Sequence, residues 1–240
     1  MKTVFVADAH LKGEGDPHQA SLVRFLDSVE AERLAVLGDL FDFWTGSNRV
    51  AERVYKPVLE ALLRLRERGV GIIYFEGNHD FSMGPFFTNE LGAKVYPGME
   101  EMAMDGKRFL VGHGDTVSMT AGYRLWRAYL RSPLFRATAI AATPRGVWAI
   151  AGMLSRKSRG NALRYGSSEN ITEARLKRFA IEEIAGGFDA VVLGHSHEPG
   201  VHTIESGGRK GVYANPGSWA FRGTYLVYEK GEFSLKSWKS

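Results

Sequence analysis

Short apolar runs recur along the chain, and five of them lead directly into polar residues. These five runs cover residues 3–7, 34–37, 71–75, 108–111 and 190–193. Apolar runs of this length bounded by turn signals are typical of buried strands. Between them, apolar residues three and four positions apart predict helices over residues 18–33, 51–68 and 170–185. The alternation of strands and helices predicts an α/β fold.

The C-terminal part of the sequence adds smaller signals. Residues 211–214, 224–228 and 232–236 are predicted to form closing strands, and Lys230 and Gly231 form the turn between the last two. Asn170 is followed three residues later by Glu173, a spacing that matches a capping box. We therefore expect the helix after residue 169 to begin at Asn170.

The polar residues that follow the five apolar runs are of types that bind metal ions. They are Asp8, His10, Asp39, Asn78, His113, His195 and His197. Ligands of open α/β sheets bind beyond the carboxyl ends of the strands, so these side chains are expected to converge. A carboxylate at the end of a buried strand, such as Asp39, is costly to desolvate unless a cation or hydrogen-bond donors meet it. Each residue alone would usually be a turn residue or a helix cap, but all of them together predict a metal site.

The composition limits the chemistry of such a site. The 240 residues include no Cys, which excludes disulfides, thiolate ligands and cysteine nucleophiles. Carboxylate, imidazole and amide ligands suit Mn²⁺, Fe²⁺, Zn²⁺ or Mg²⁺. The apolar run in the first ten residues is too short for a secretory leader, and Pro144 and Arg145 interrupt the longest apolar-rich window. A cytosolic protein is therefore expected.

The charge is concentrated in one segment. Residues 116–168 carry nine Lys or Arg and no Asp or Glu, whereas the rest of the chain carries 27 acidic residues against 22 basic ones. This segment also has helical spacing, with Leu125, Trp126, Tyr129 and Leu130 available for an apolar face. Basic groups beside apolar side chains favour an anionic ligand with fatty chains, or an anionic membrane surface. The alternative is a small helical cap with a solvated face.

The motifs at the strand ends resemble those of the calcineurin-like metallophosphoesterases. The matching motifs are Asp8-x-His10, Gly38-Asp39, Gly77-Asn78-His79-Asp80, Gly112-His113 and Gly194-His195-x-His197. The resemblance implies a single α/β domain over residues 1–240. It implies a sandwich of two mixed β-sheets flanked by helices, with the basic segment at about 116–168 inserted as a helical lid.

The same resemblance implies two divalent cations, for which we expect Mn²⁺. It assigns Asp8, His10, Asp39 and His197 to one cation, and Asp39, Asn78, His113 and His195 to the other, so that Asp39 bridges them. Two such cations clamp a phosphoryl group and make bound water acidic enough to act as a nucleophile. His79 is the expected general acid, with Asp80 orienting its ring. The alternative for His79 is a supporting or packing role.

Finer details resemble one branch of the family, the UDP-2,3-diacylglucosamine pyrophosphohydrolases of lipid A synthesis. The residues that carry this likeness are the stretches 38–44, 78–81, 113–115 and 195–199, together with the insertion. The branch cleaves the diphosphate to UMP and the lipid 1-phosphate, works at the inner face of the cytoplasmic membrane, and uses a helical lid to cover acyl chains. Contacts to this substrate are expected from Asn78, Arg156, Arg159, Asn161 and Arg164.

The sequence also departs from that branch at three places. Position 79 is His, where many members carry Arg, and position 42 is Asp, where Glu is frequent. The stretch 215–218 is closer to the general phosphoesterase pattern than to that of the branch. Three other functions therefore remain open: a phosphoesterase for another nucleotide or a phosphoprotein, a nuclease that binds through the basic segment, and a scaffold that has lost activity. Nucleic acid is not the expected partner, because apolar side chains accompany the arginines.

Overall fold

Thirteen strands carry the fold in the part of the chain that the structure describes. The structure is a computed structural model, and it describes residues 1–46, 49–117, 119–132, 134–135 and 168–239. The strands are β1 (Thr3–Val6), β2 (Arg33–Val36), β3 (Trp44–Thr45), β4 (Gly71–Phe75), β5 (Asp80–Phe81), β6 (Lys94–Tyr96), β7 (Glu100–Met104), β8 (Lys107–Gly112), β9 (Ala190–Leu193), β10 (Gly200–Ser206), β11 (Arg209–Asn215), β12 (Thr224–Glu229) and β13 (Glu232–Ser237).

These strands form two mixed sheets and a small two-stranded one. The first sheet has the order β13-β12-β1-β2-β4-β6, and the second has the order β10-β11-β9-β8-β7. Strands β1, β2, β4 and β6 pair in parallel, as do β8, β9 and β11, whereas the outer hairpins are antiparallel. The predicted sandwich of two mixed sheets is confirmed.

Helices cover both outer faces of the sandwich. They are α1 (Pro17–Ser28), α2 (Arg49–Val54), α3 (Lys56–Glu67), α4 (Ala121–Leu130), α5 (Ser168–Ala185) and α6 (Trp219–Arg222), with a π-helical turn at Phe86–Glu90. Asp16 caps α1 by accepting a hydrogen bond from the amide of His18, and Pro17 occupies its first turn. In the described ranges, no helix combines the length and the apolar character that crossing a bilayer requires.

Three helix boundaries differ from the sequence-based expectation. The helix predicted over residues 51–68 is two helices that meet at Tyr55, because Pro57 lacks an amide hydrogen and starts a new first turn. The helix predicted over residues 18–33 ends at Ser28, since Val29 is extended. The capping box at Asn170 is wrong: α5 already begins at Ser168, and the Glu173 side chain has other partners.

The core is divided between the space inside the sandwich and its two outer faces. Phe5, Phe75 and Ile73 of the first sheet pack against Phe109 and Val192 of the second. The opposite face of the first sheet packs against α1 and α3, and α5 covers the second sheet through side chains such as Leu176 and Ile184. Burial on both faces explains why these strands are uninterrupted apolar runs.

The parallel arrangement brings five loops to one edge of the sandwich. The loops after β1, β2 and β4 leave the first sheet at its carboxyl edge, and those after β8 and β9 leave the second sheet at the same edge. Backbone hydrogen bonds connect them: Asp8 N donates to Gly38 O at 3.2 Å, and Gly194 N donates to His113 O at 3.0 Å. The candidate ligands therefore lie on one continuous surface.

Candidate metal centre

The first group of ligand atoms comes from the loops after β1 and β9. Asp8 Oδ1 lies 3.9 Å from His10 Nε2 and 3.6 Å from His197 Nε2, and the two imidazole nitrogens are 3.4 Å apart. Asp8 Oδ1 is buried and accepts no hydrogen bond from the part of the chain that the structure describes. A buried carboxylate oxygen without a donor, facing two imidazole nitrogens, fits a divalent cation among these three atoms.

The second group lies beside the first and draws on four loops. His113 Nε2 lies 3.1 Å from Asn78 Oδ1, 3.2 Å from His195 Nδ1 and 3.5 Å from Asp39 Oδ2. Ligand atoms of Asp8, Asp39 and His113 also lie within 4.8 Å of one another, so the two groups are contiguous. The structure thus brings together all seven residues that the sequence singles out as candidate metal ligands.

Hydrogen bonds outside the centre set the orientation of these side chains. His113 Nδ1 donates to the carbonyl of Leu37 at 2.8 Å, which leaves Nε2 directed at the centre. The amide of His195 donates to Asp8 Oδ2 at 2.9 Å, so the loop after β9 is fixed to the loop after β1. Such outer partners hold a ligand set in the geometry that a cation requires.

The protonation states fit a cation site. Burial lowers the pKa of His10 and of His195 to about 4, which keeps both rings neutral. Burial also opposes charge on Asp8, Asp39 and His113, but the attraction between the carboxylates and the neighbouring imidazoles outweighs it. This attraction lowers the pKa of both carboxyls and raises the pKa of His113 to about 9. Neutral imidazoles and ionised carboxylates are the forms that bind metals, so His10, His195 and the two carboxyls are ready to bind, whereas His113 would release a proton when a cation binds.

The backbone at this edge is in a conformation that side-chain-bearing residues rarely adopt. Five of the seven candidate ligands have positive φ: 53° at Asp8, 44° at His10, 52° at Asp39, 69° at His195 and 62° at His197. Each such residue costs on the order of 1–3 kcal/mol and persists only where the surroundings enforce it. Clustering of these conformations at one edge indicates a functional site.

Glycines allow the loops to approach one another closely. A Cβ at Gly77 would lie 2.1 Å from Asp39 Oδ1, and a Cβ at Gly38 would lie 2.8 Å from both Gly77 Cα and His113 Nδ1. Only residues without a side chain fit at these two positions, because the obstructing atoms are backbone and ligand atoms. The glycines of the sequence motifs are therefore steric requirements of the centre.

Asp80 has a different partner from the one expected. Its buried carboxylate accepts hydrogen bonds from the amides of Asp39, Leu40, Phe41 and Gly77 and from the hydroxyl of Tyr74. Burial and the nearby Asp39 carboxylate raise the pKa of Asp80 to about 7. The expectation that Asp80 orients the ring of His79 is corrected, because its carboxylate is used to hold the Asp39 turn.

His79 itself lies beside the first group of ligand atoms. Its Nδ1 is 3.0 Å from the carbonyl oxygen of Asp42, which can only accept, so Nδ1 donates and Nε2 is left free. The rings of His79 and His10 lie edge to face with centroids 5.0 Å apart. The amide of His79 donates to Asp39 Oδ1 at 2.9 Å. The carbonyl of Asp42 therefore orients the His79 ring, a role that was expected of Asp80.

Arg127 of α4 and Arg131, which directly follows α4, attach this helix to the sandwich. Arg127 pairs with the buried Asp115 at 3.2 Å and donates to Pro97 O at 2.7 Å. Arg131 pairs with the buried Glu76 and also donates to Pro97 O and Gly77 O. These two charges are thus neutralised within the protein, and the predicted anion site has fewer available arginines than the sequence indicates.

The opposite side of α4 is apolar and exposed. Leu125 is 74% exposed, Trp126 43% and Tyr129 40%. Between α4, α5 and the centre lies a cleft of about 260 Å³, whose lining includes Asn78, Tyr123, Thr172, Arg175, Leu176 and His195. The expected substrate contacts Arg156, Arg159, Asn161 and Arg164 lie outside the described residues.

Sequence reasoning missed a buried polar network behind the loop of His195 and His197. It consists of Glu173, Ser196, Tyr213 and Asn215, all of which are buried. Ser196 lies between two recognised ligands, and Asn215 begins a stretch whose resemblance to general phosphoesterases was visible. The role of Glu173 had no local signal, because its partners are 23 and 40 residues away in sequence.

A two-sheet sandwich with imidazole and carboxylate groups gathered at one edge defines a metal-dependent hydrolase. The family model of calcineurin-like phosphoesterases matches residues 1–199, and the chain belongs to that family. A solved structure of an archaeal phosphodiesterase has the same fold, with a TM-score of 0.50 and 14% identity over 98% of this chain and 99% of that one.

Two curated relatives match nearly the whole chain. The UDP-2,3-diacylglucosamine hydrolase of Aeromonas salmonicida (strain A449) is 30% identical over 249 residues, which cover 98% of this chain and 93% of the relative. The UDP-2,3-diacylglucosamine hydrolase of Yersinia pseudotuberculosis serotype O:1b (strain IP 31758) is 30% identical over 208 residues, which cover 85% of each chain. The family resemblance found in the motifs is confirmed.

Proposed function

We propose that this protein hydrolyses the diphosphate of UDP-2,3-diacylglucosamine to UMP and 2,3-diacylglucosamine 1-phosphate, with two divalent cations in the metal centre. The observation that carries the proposal is the contiguity of the two ligand groups around Asp8, Asp39 and His113, beside a cleft and an apolar helix. The names of the relatives support the choice of substrate.

The donor set fits Mn²⁺, which accepts oxygen and imidazole ligands together. Asp8, His10 and His197 would hold one cation, Asn78, His113 and His195 the other, and Asp39 would contact both. When bound, the two cations supply charge stabilisation for the phosphoryl group and an activated water. In its imidazolium form, His79 would deliver the Nε2 proton to the leaving oxygen and keep the Nδ1 proton on the carbonyl of Asp42.

The surroundings of the centre suit a diphosphate that carries a sugar and fatty chains. The cleft places Arg175 and Tyr123 beside Asn78 and His195, which suits an anionic, hydroxyl-rich group. The exposed apolar residues of α4 offer a surface for acyl chains. We propose that Arg156, Arg159, Asn161 and Arg164 add contacts to the same substrate.

We further propose that the protein works in the cytoplasm, peripheral to the inner face of the cytoplasmic membrane. A substrate with two acyl chains resides in a bilayer, and the apolar face of α4 is continuous in sequence with a segment rich in Arg. Apolar side chains next to basic groups bind the interface of anionic bilayers. Sedimentation with anionic and zwitterionic vesicles, compared at equal lipid, tests this proposal.

The decisive experiment compares substrates on the purified protein with Mn²⁺. UMP release from UDP-2,3-diacylglucosamine is measured beside an unacylated UDP-sugar, a chromogenic diester and DNA, with Asp39→Ala as the inactive control. A far higher kcat/KM for the acylated substrate supports the proposal. Equal rates with and without acyl chains would instead indicate a different phosphoesterase. DNA cleavage with a steep salt dependence would indicate a nuclease, and no hydrolysis at all would indicate a scaffold.

A further inference from the structure

The buried network behind the histidine loop is complete in hydrogen bonds. Ser196 Oγ donates to Glu173 Oε2 at 2.6 Å, and the Tyr213 hydroxyl donates to the same oxygen at 3.1 Å. Asn215 Nδ2 donates to Ser196 Oγ at 2.9 Å and lies 3.2 Å from the carbonyl of Gly194. The hydrogen bonds that Ser196 and Tyr213 donate therefore both end on the Glu173 carboxylate.

The loop that this network touches is strained. His195 and His197 both have left-handed backbone, with Ser196 between them. The amide of Ser196 donates to Gly194 O at 2.9 Å, which closes a tight turn. Left-handed residues persist only where surrounding contacts over-determine them. In this loop, the Ser196 side chain is the one that reaches from the turn into the buried network.

We propose that Glu173 is a positioning residue of the metal centre. It fixes the turn at Ser196 so that His195 and His197, one from each ligand group, face the cations. The inference rests on the proposed function in one respect, namely that the centre binds divalent cations. It goes beyond that function because Glu173 touches neither ligand ring and lies on α5, outside the five strand-end motifs.

An acceptor of this kind is required at position 173 by the chemistry of its neighbours. Ser196 and Tyr213 each accept a hydrogen bond from Asn215. Each also donates one to Glu173, at 2.6 and 3.1 Å, so the side chain at position 173 must accept two hydrogen bonds. Burial and Glu173 raise the pKa of Tyr213 well above its usual range, which keeps its hydroxyl a donor. Lys177 Nζ, 3.5 Å from the other carboxylate oxygen, offsets part of the cost of burying the charge.

The position of Glu173 on α5 links the histidine loop to the cleft. Thr172, Arg175 and Leu176, on the same turns of the helix, line the cleft together with His195. Glu173 therefore connects the turn at Ser196 to the part of α5 that a substrate in the cleft would contact.

The test measures Mn²⁺ binding to metal-free protein by calorimetry and amide hydrogen exchange across residues 194–197. The variants are Glu173→Ala, Glu173→Gln and Ser196→Ala, and Glu182→Ala is the control, because Glu182 is an exposed acid on the same helix. We expect Glu173→Ala to weaken Mn²⁺ binding about 10- to 100-fold and to speed exchange in the loop. Glu173→Gln, which keeps an acceptor oxygen, should lose less, and the control should match wild type.

The outcomes separate this inference from the function on which it rests. If wild type binds no divalent cation, the proposed function fails, while the exchange rates in metal-free protein still test the positioning of the loop. If Glu173→Ala binds Mn²⁺ and protects the loop as wild type does, Glu173 is not a positioning residue. Should Glu173→Ala fail to fold, Ser196→Ala decides, since it removes the hydroxyl that joins the turn to Glu173 and leaves the buried carboxylate its bond from Tyr213. Unchanged binding and exchange in that variant would overturn the inference.

Discussion

Asp80 Oδ1 accepts a hydrogen bond at 2.9 Å from the backbone amide of Asp39, so one buried carboxylate holds the residue that carries another. The same group accepts from the amides of Leu40 and Gly77 and from the hydroxyl of Tyr74. Two carboxylates of one centre thus have separate duties: Asp39 faces the ligand groups, and Asp80 shapes the backbone behind it.

The first prediction concerns this support. Asp80→Asn replaces an acceptor oxygen with a donor that faces backbone N–H groups, so the free energy of unfolding should fall by about 1–3 kcal/mol and Mn²⁺ affinity should fall with it. Denaturant titration and calorimetry measure the two effects. Tyr74→Phe removes only one donor and should cost less in both. Wild-type stability in Asp80→Asn would contradict the assigned role.

The second prediction concerns Asp39, whose carboxylate lies between the two ligand groups. Asp39→Ala should abolish turnover and lower the content of both cations, because the two groups then lose the acid that joins them. Elemental analysis of the purified variant gives metal content per chain. Glu32→Ala removes an exposed acid elsewhere in the first half of the chain and serves as the control. Full activity in Asp39→Ala would end the bridging hypothesis.

The third prediction concerns the close approach at Gly77. Gly77→Ala should disrupt the centre, because the added Cβ would lie 2.1 Å from Asp39 Oδ1 and 2.7 Å from Asp39 N. We expect loss of turnover and weaker Mn²⁺ binding. Gly98→Ala makes the same chemical change where nothing lies within 4 Å, and it should leave both properties unchanged. Equal behaviour of the two variants would show that the approach is not a constraint.

The fourth prediction separates acid catalysis from metal binding at His79. His79→Ala should lower kcat by about 10²–10⁴-fold with metal content unchanged, because the imidazole that delivers the proton to the leaving oxygen is removed. His18→Ala, an exposed histidine on α1, is the matched control. Loss of metal from His79→Ala would instead make His79 a ligand, which its proximity to His10 and Asp42 permits.

The fifth prediction concerns the attachment of α4. Arg131→Ala removes the ion pair with Glu76 and the contacts to the carbonyls of Pro97 and Gly77. We expect KM for the acylated substrate to rise while hydrolysis of a small chromogenic ester is spared, because α4 lines the cleft and Arg131 contacts no side chain of the candidate ligands. Arg124→Ala, on the exposed side of the same helix, is the control. An equal loss on both substrates would show that Arg131 supports the centre itself.

The layout of the fold and the ligand set could be predicted from sequence because both rest on local patterns. A short apolar run with β-branched residues, bounded by turn residues, is typical of a buried strand, and a polar residue directly after it lies at the end of that strand. The run at residues 71–75 and the one at 190–193 coincide with β4 and β9. His113 and His195, 82 residues apart, meet because their strands pair in parallel.

What could not be predicted depends on contacts between distant elements. Strand β10 alternates between half-buried and exposed residues, and its pairing with β11 decides its conformation more than its own composition does. Asp80 follows His79 directly, so proximity in sequence pointed to the wrong partner. The spacing of Glu173 from Asn170 matched a capping box with Asn170 as the cap, whereas the Glu173 carboxylate accepts a hydrogen bond from Ser196, 23 residues away.

The left-handed residues at the sheet edge have a consequence for the stability of the folded chain. Each of the five residues carries a strain energy on the order of 1–3 kcal/mol. Their sum is comparable with the free energy of unfolding of an ordinary domain, about 5–15 kcal/mol. Replacing His10 or His197 by glycine would relieve this backbone strain and should give a more stable protein that binds metal less well. At this edge of the sheet, backbone stability and metal binding are therefore opposed.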